Sequence, residues 1–208
     1  EAPGGYRPEL HLPGFFDVFF NPRILDIVEV ILGPEIRLYP NYTVRPKLAD
    51  QIQTLVLWHQ DGGYTDRWHK TQSGEVTELR MVNVWTPLVP ARVENGCMQF
   101  IPGSHKHGLF THEQRQHFLE VPSAELTPHL ERTVDVELDV GDVVLFSNML
   151  LHRGLPNRTK TVRWNIDWRY QDATQSTLRD TQGHIARSER DSRTMVKSAS
   201  QWASLQFQ

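Results

Sequence analysis

Two pairs of residues in this chain have the types and spacing to do chemistry. In Leu57-Trp58-His59-Gln60-Asp61-Gly62 an imidazole and a carboxylate stand two residues apart at the end of an apolar run. On a β-strand, residues i and i+2 face the same side, so His59 and Asp61 are expected to aim at one point. Such a pair suits a divalent first-row metal, with a third ligand to come from elsewhere; taken alone it is a weak signal, more often a strand running out into a polar turn. About ninety residues on, in FSNMLLHRGLPNRTKTVRWNIDWRY, His152 closes an apolar run, Gly154, Pro156 and Asn157 mark a turn, and Arg163 opens the next segment. A hairpin there puts Arg163 one or two strand spacings from His152, where its planar guanidinium can take a carboxylate bidentately.

The elements that must position these residues are mostly β. Segments near 36–46, 53–61, 78–88, 97–102, 132–139, 143–147 and 161–170 carry strand-type patterns between turn residues. Val134, Val136 and Leu138 alternate with charged residues before Gly141-Asp142 and a second apolar run, which predicts another hairpin. Along 161–170, Arg163, Asn165, Asp167 and Arg169 share a face opposite Val162, Trp164, Ile166, Trp168 and Tyr170. A polar inward face is costly in a plain core and suits a wet pocket. One helix is expected: Asn21 caps it, Pro22 starts it, Ile24, Ile27, Val28 and Ile31 form its apolar stripe, and Gly33-Pro34 stops it. So many short strands favour a sandwich, jelly roll or barrel over a parallel α/β sheet.

With 208 residues, 38% of them hydrophobic, the chain is expected to form one domain over 1–208, and 171–208 reads as a polar C-terminal arm or lid anchored by Ile185, Trp202 and Leu205. A net charge of -3 with scattered Lys and Arg gives no footprint for nucleic acid or an anionic membrane. The expected partner is a small molecule, and the oligomeric state is left open. Cys97 is the single cysteine, so no intramolecular disulfide forms, and a reducing, cytoplasmic setting fits. No apolar run approaches the roughly 20 residues of a membrane span, and the first residues lack signal-peptide order, which predicts a soluble protein. The chain starts without a methionine in a Pro/Gly-rich stretch, as a trimmed N-terminus would.

The pieces WHQD at 58–61, VNVWTPL at 82–88, NGCMQFIPGSHKHG at 95–108, and His152 with Arg163 after ten intervening residues occur in one order. In them the chain resembles the phytanoyl-CoA dioxygenase family of iron(II)- and 2-oxoglutarate-dependent oxygenases, over roughly residues 20–170. The resemblance implies a mainly β double-stranded β-helix, a jelly-roll barrel with flanking helices. It implies His59, Asp61 and His152 as iron ligands, Arg163 as the grip on the distal carboxylate of 2-oxoglutarate, and Trp85, Asn83 and Lys47 as further co-substrate contacts. The implied reaction uses O2 to hydroxylate a C–H bond of a small organic molecule, with succinate and CO2 released. A retained carboxylate at Asp61 argues for oxygen insertion over halogenation, because halogenating relatives have a small residue there. Gly154 departs from the hydroxyl residue that the family often places two positions after the distal histidine.

The loop Gly62–Thr77 is expected at the substrate mouth, with Gln99 a further candidate for the pocket lining. His105 and His107 are expected to fix the mouth loop or meet substrate, and His112, His117, His129 and His184 receive no role. The three metal-type ligands alone would also serve a cupin-like hydrolase or isomerase, or a non-catalytic ligand-binding jelly roll. Arg163 and Trp85 are the features that favour the oxygenase.

Overall fold

The structure is a computed structural model and describes residues 10–69 and 76–205, apart from the side chains of Ile52, Trp68 and His69. The chain falls into two compact units, Glu1–Thr43 with Leu79–Val84 and Asp167–Gln208, and Val44–Glu78 with Trp85–Ile166. The elements used below are α1 (Pro13–Phe19), α2 (Pro22–Leu32), β1 (Ile36–Leu38), β2 (Thr43–Lys47), α3 (Asp61–His69), β3 (Met81–Pro87), β4 (Met98–Phe100), β5 (Glu113–Gln114), β6 (Leu119–Glu120), β7 (Val134–Val136), β8 (Val144–Ser147), β9 (His152–Gly154), β10 (Arg163–Asp172) and β11 (His184–Arg187).

In the first unit, α2 starts and stops where the sequence predicts. The Asn21 side chain accepts the Arg23 N–H at 3.0 Å, and Gly33 ends the helix at φ +89°. The buried stripe differs from the expected one. It is Leu25, Val28 and Leu32, while Ile27 and Ile31 are 53% and 50% exposed. Apolar residues nearly encircle this helix, so periodicity could not single out the packed side. Strand β1 pairs antiparallel with β10, Leu38 opposite Tyr170, and with β11, Leu38 opposite His184. Beside that sheet an aromatic core gathers Phe19, Tyr42, Trp168 and Trp202, with Phe19 5.2 Å from Tyr42 and 5.6 Å from Trp168 between ring centres. Trp202, on the helix Ala199–Ser204, is fully buried and donates to the Leu10 carbonyl at 3.1 Å.

In the second unit, β4 lies between β7 and β9, all antiparallel. Phe100 faces His152 and Met98 faces Gly154, which sets those four on one side of the sheet and Gln99 and Arg153 on the other. The segment 56–59 continues the pairing beyond β9. His59 and His152 exchange both backbone hydrogen bonds at 3.0 Å, and Gly154 N–H donates to Val56 at 3.1 Å. Trp85, Ala91, Cys97, Met98, Phe100 and Leu150 pack as one core cluster, and Trp58, Ile101, Val121, Leu126 and Leu151 as another.

Three sequence expectations are corrected here. The strand over 53–61 is absent: Ile52–Thr54 is a 3-10 turn, His59 makes only an isolated bridge, and Asp61 is the first residue of α3. Neither hairpin forms. β7 and β9 both pair with β4, while β8 and β10 belong to another sheet. The turn at Gly141, φ +98°, is present, but turn residues look the same whether a chain folds back beside itself or crosses to a different sheet. Finally, the polar stretch after Asp61 is helix α3 as far as His69, and 70–75 lie outside the described residues.

Candidate metal centre and carboxylate pocket

His59, Asp61 and His152 each bring one ligand atom to within 4.8 Å of the others, and no other such group occurs among the described residues. The Asp61 carboxylate is 3.3 Å from His59 Nε2 and 3.8 Å from His152 Nε2. The two histidines converge because they are directly opposed across the β bridge. Asp61 joins them from the first turn of α3, not from the strand face that the i, i+2 spacing suggested.

Backbone carbonyls fix both rings. His59 Nδ1 donates to Leu57 O at 2.7 Å, and His152 Nδ1 donates to Leu150 O at 2.8 Å. Each Nδ1–H tautomer leaves the Nε2 lone pair for a cation, and the clamp orients the ring. His152 is further held between Phe146, 4.9 Å away, and Phe100, 6.2 Å away. Two such nitrogens and a carboxylate fit a divalent first-row ion, iron(II) among them, and three ligands on one side of the ion leave open positions.

Gln60, between the ligands, is fully buried and ties their turn to two neighbours. Its side-chain amide donates to Gly108 O at 2.8 Å and Met149 O at 2.7 Å, and its Oε1 accepts the Phe110 N–H at 2.8 Å. His112, to which the sequence assigned no role, completes the knot. Its Nδ1 donates to Phe110 O at 2.8 Å and its Nε2 accepts the Gln60 N–H at 3.0 Å. Burial pushes its pKa down to about 4, which keeps the ring neutral and the acceptor available. Gly63 is required for this approach, because a Cβ there would lie 2.5 Å from the His112 ring. Nothing in the periodicity of 108–112 signals the contact.

The second cluster is cationic. Arg163 is 3% exposed, donates to Gly96 O at 2.9 Å and to the Asn165 side chain, and lies 5.2 Å over the Trp85 ring. Lys47, at the end of β2, is 4% exposed and donates to Thr54 O at 3.0 Å. Burial first, and repulsion from Arg163 second, bring its pKa down to about 7. Two glycines make room for the amine. A Cβ at Gly154 would stand 3.1 Å from Lys47 Nζ, and one at Gly96, φ +89°, would stand 2.4 Å from Lys47 Cδ and 2.5 Å from Leu155 O. The Lys47 amine thus lies beside Gly154, the position at which the sequence departs from the family's hydroxyl residue. Gly154 also links the clusters, since it lies two residues beyond His152 on the same face of β9.

Other expected residues fall elsewhere. Asn83 is buried in β3 among the residues of the first unit. Gln99 points to the side of β4 away from His152 and accepts from Arg153 at 2.6 Å, so it does not join the cluster. His107 stacks against His129, ring centres 5.0 Å apart, and His105 is exposed. Along β10 only Trp164 is exposed, and Asp167 pairs with Arg169 at 2.7 Å within the first unit.

Solved structures similar to this one include oxygenases. The non-heme monooxygenase ThoJ, in its apo form, has a TM-score of 0.64 at 24% identity, over 88% of this chain and 64% of that one. EctD from S. alaskensis with 2-oxoglutarate and 5-hydroxyectoine has a TM-score of 0.64 at 22% identity, over 80% and 55%. The fold is therefore the mainly β double-stranded β-helix of that class, with helices a minor part. The sequence profile of phytanoyl-CoA dioxygenase (PhyH) matches residues 3–164, and the chain belongs to that family. Among curated relatives, the 1-deoxypentalenic acid 11-beta-hydroxylase of Streptomyces arenae is 27% identical over 172 residues, 76% of this chain. The chain spans 57% of that protein's length.

Proposed function

We propose that this chain carries the centre of an Fe(II)- and 2-oxoglutarate-dependent dioxygenase that hydroxylates a C–H bond of a small organic molecule. The co-products are succinate and CO2, with one atom of O2 in each oxidised product. The observation that carries the reading is the convergence of two carbonyl-clamped Nε2 atoms and one carboxylate, in the same unit as a buried pair of cations. Arg163 beside Trp85 in that second cluster is the feature that favours the oxygenase over a hydrolase.

In this reading His59, Asp61 and His152 hold the iron. Once bound, the ion would supply the redox chemistry that couples O2 reduction to oxidative decarboxylation of the keto acid. Arg163 would grip the distal carboxylate of 2-oxoglutarate, with Lys47 as a second cation and the Trp85 ring holding the guanidinium in plane. The role of Asn83 rests on the family resemblance alone. Both units would then belong to one oxygenase domain, with 171–208 as its arm. Among the described residues no helix is long and apolar enough to cross a membrane. A cytoplasmic setting suits the lone, buried Cys97.

The test is anaerobic addition of iron(II) and then 2-oxoglutarate. A visible charge-transfer band from the chelated keto acid is expected, followed under air by succinate formation that a suitable small molecule stimulates. Metal binding with neither band nor succinate would instead mark a cupin-type hydrolase or isomerase.

A further inference from the structure

We propose that His112 is a positioning residue for the metal centre, setting the His59–Asp61 turn through its hydrogen bond to the backbone of Gln60. This rests on reading His59, Asp61 and His152 as metal ligands. Three histidines in this unit use the same device, an Nδ1–H donated to the carbonyl two residues earlier: Leu57 for His59, Phe110 for His112 and Leu150 for His152. In His59 and His152 the freed Nε2 points to the Asp61 carboxylate. In His112 it accepts the N–H of the residue between the two ligands of the turn.

That N–H has strong reason to be satisfied. Gln60 is fully buried, and an unpaired buried amide is unfavourable. Without the acceptor, the buried N–H is left unpaired and the His59–Gln60 peptide keeps only the bond its carbonyl accepts from the His152 N–H, so the turn that carries the two ligand side chains is held from one side alone. The Gln60 side chain is held through Gly108, Phe110 and Met149, and its carbonyl accepts the Gly63 N–H at 3.0 Å, but the acceptor for its N–H is His112. The 108–112 segment thereby controls ligand geometry without touching the metal, and Gly63, by lacking a Cβ, leaves room for the ring.

Cobalt(II) titrated into the protein, followed by its visible ligand-field spectrum, tests the assignment without turnover. His112→Ala is expected to weaken cobalt affinity about 10- to 100-fold and to change the band shape. Its affinity for 2-oxoglutarate at saturating cobalt should fall much less than the affinity for cobalt, since Arg163 and Lys47 are untouched and only the keto acid end meets the altered metal. His112→Gln, which restores an acceptor, should recover most of the affinity and the native band. Gly63→Ala, which crowds the ring, should reproduce the altered band and so decides the matter if His112→Ala does not fold. A folded His112→Ala with wild-type affinity and spectrum overturns the assignment while leaving the metal reading intact. Failure of the wild-type protein to bind cobalt overturns both.

Discussion

The metal cluster and the cation pocket are built on opposite electrostatic principles. Around His59, Asp61 and His152 the protein satisfies the atoms that do not face the ion: carbonyls take both Nδ1 protons, and His112 takes the N–H of the intervening peptide. The ligands are held by hydrogen bonds that persist whether or not an ion is present. At Lys47 and Arg163 two basic side chains are buried in one unit, and burial first, with repulsion from Arg163 second, lowers the Lys47 pKa to about 7. An arriving carboxylate would relieve that cost. Preorganisation of the first cluster serves geometry; in the second, the cost of burying positive charge, of which repulsion is the smaller part, favours an anion.

The largest way to test this division is to remove a metal ligand. His59→Ala or Asp61→Ala should abolish the charge-transfer band and lower succinate formation by about three orders of magnitude or more, with the near-UV spectrum of the fold unchanged. Either variant keeping wild-type turnover would show that the cluster is not the centre. A smaller loss is expected from Arg163→Ala: 2-oxoglutarate affinity should fall on the order of 100-fold while cobalt binding stays near wild type, as expected when one side of a buried charge pair is truncated. If instead cobalt and 2-oxoglutarate binding fell together, the two regions would be one coupled unit.

The two clusters were unequally legible. That His59, Asp61 and His152 would come together could be read from WHQD and from His152 with Arg163, and the fold class from the succession of short strands. The path between them could not. A β pattern at 53–61 suggested that His59 and Asp61 share a strand face, whereas an isolated bridge and a helix N-terminus bring them together. Turn residues at 154–157 suggested a hairpin, whereas β9 and β10 join different sheets. Pairing partners depend on long-range packing, which local pattern does not encode. The same limit hid His112, whose value lies in a contact 52 residues away in sequence, and Gly154, whose missing side chain makes sense only beside Lys47.

Lys47 gives the smallest effect and the sharpest test of the contrast. Its pKa lies near 7 in the fold, against an ordinary value of 10.5. The unfolded chain therefore holds more protons between those values, and stability rises with pH across that window. Below pH 7 both states are protonated and the full cost of burying the charge is felt. Lys47→Met should then stabilise the ligand-free protein, by about 2–4 kcal/mol at pH 6 after loss of the Thr54 hydrogen bond, or roughly 5–10 °C in melting temperature. The gain should shrink toward pH 10. Binding of 2-oxoglutarate should behave in the opposite sense. In the native protein the charged amine attracts the carboxylate, so affinity should fall by up to about tenfold per pH unit above 7, and Lys47→Met should flatten that profile at a level about tenfold weaker at pH 6. Melting curves and titration calorimetry from pH 6 to pH 9 provide both readings. A variant that is less stable at pH 6, or a native profile with no slope above pH 7, would mean that Lys47 is a structural cation and that the pocket stores no repulsion for an anion to relieve.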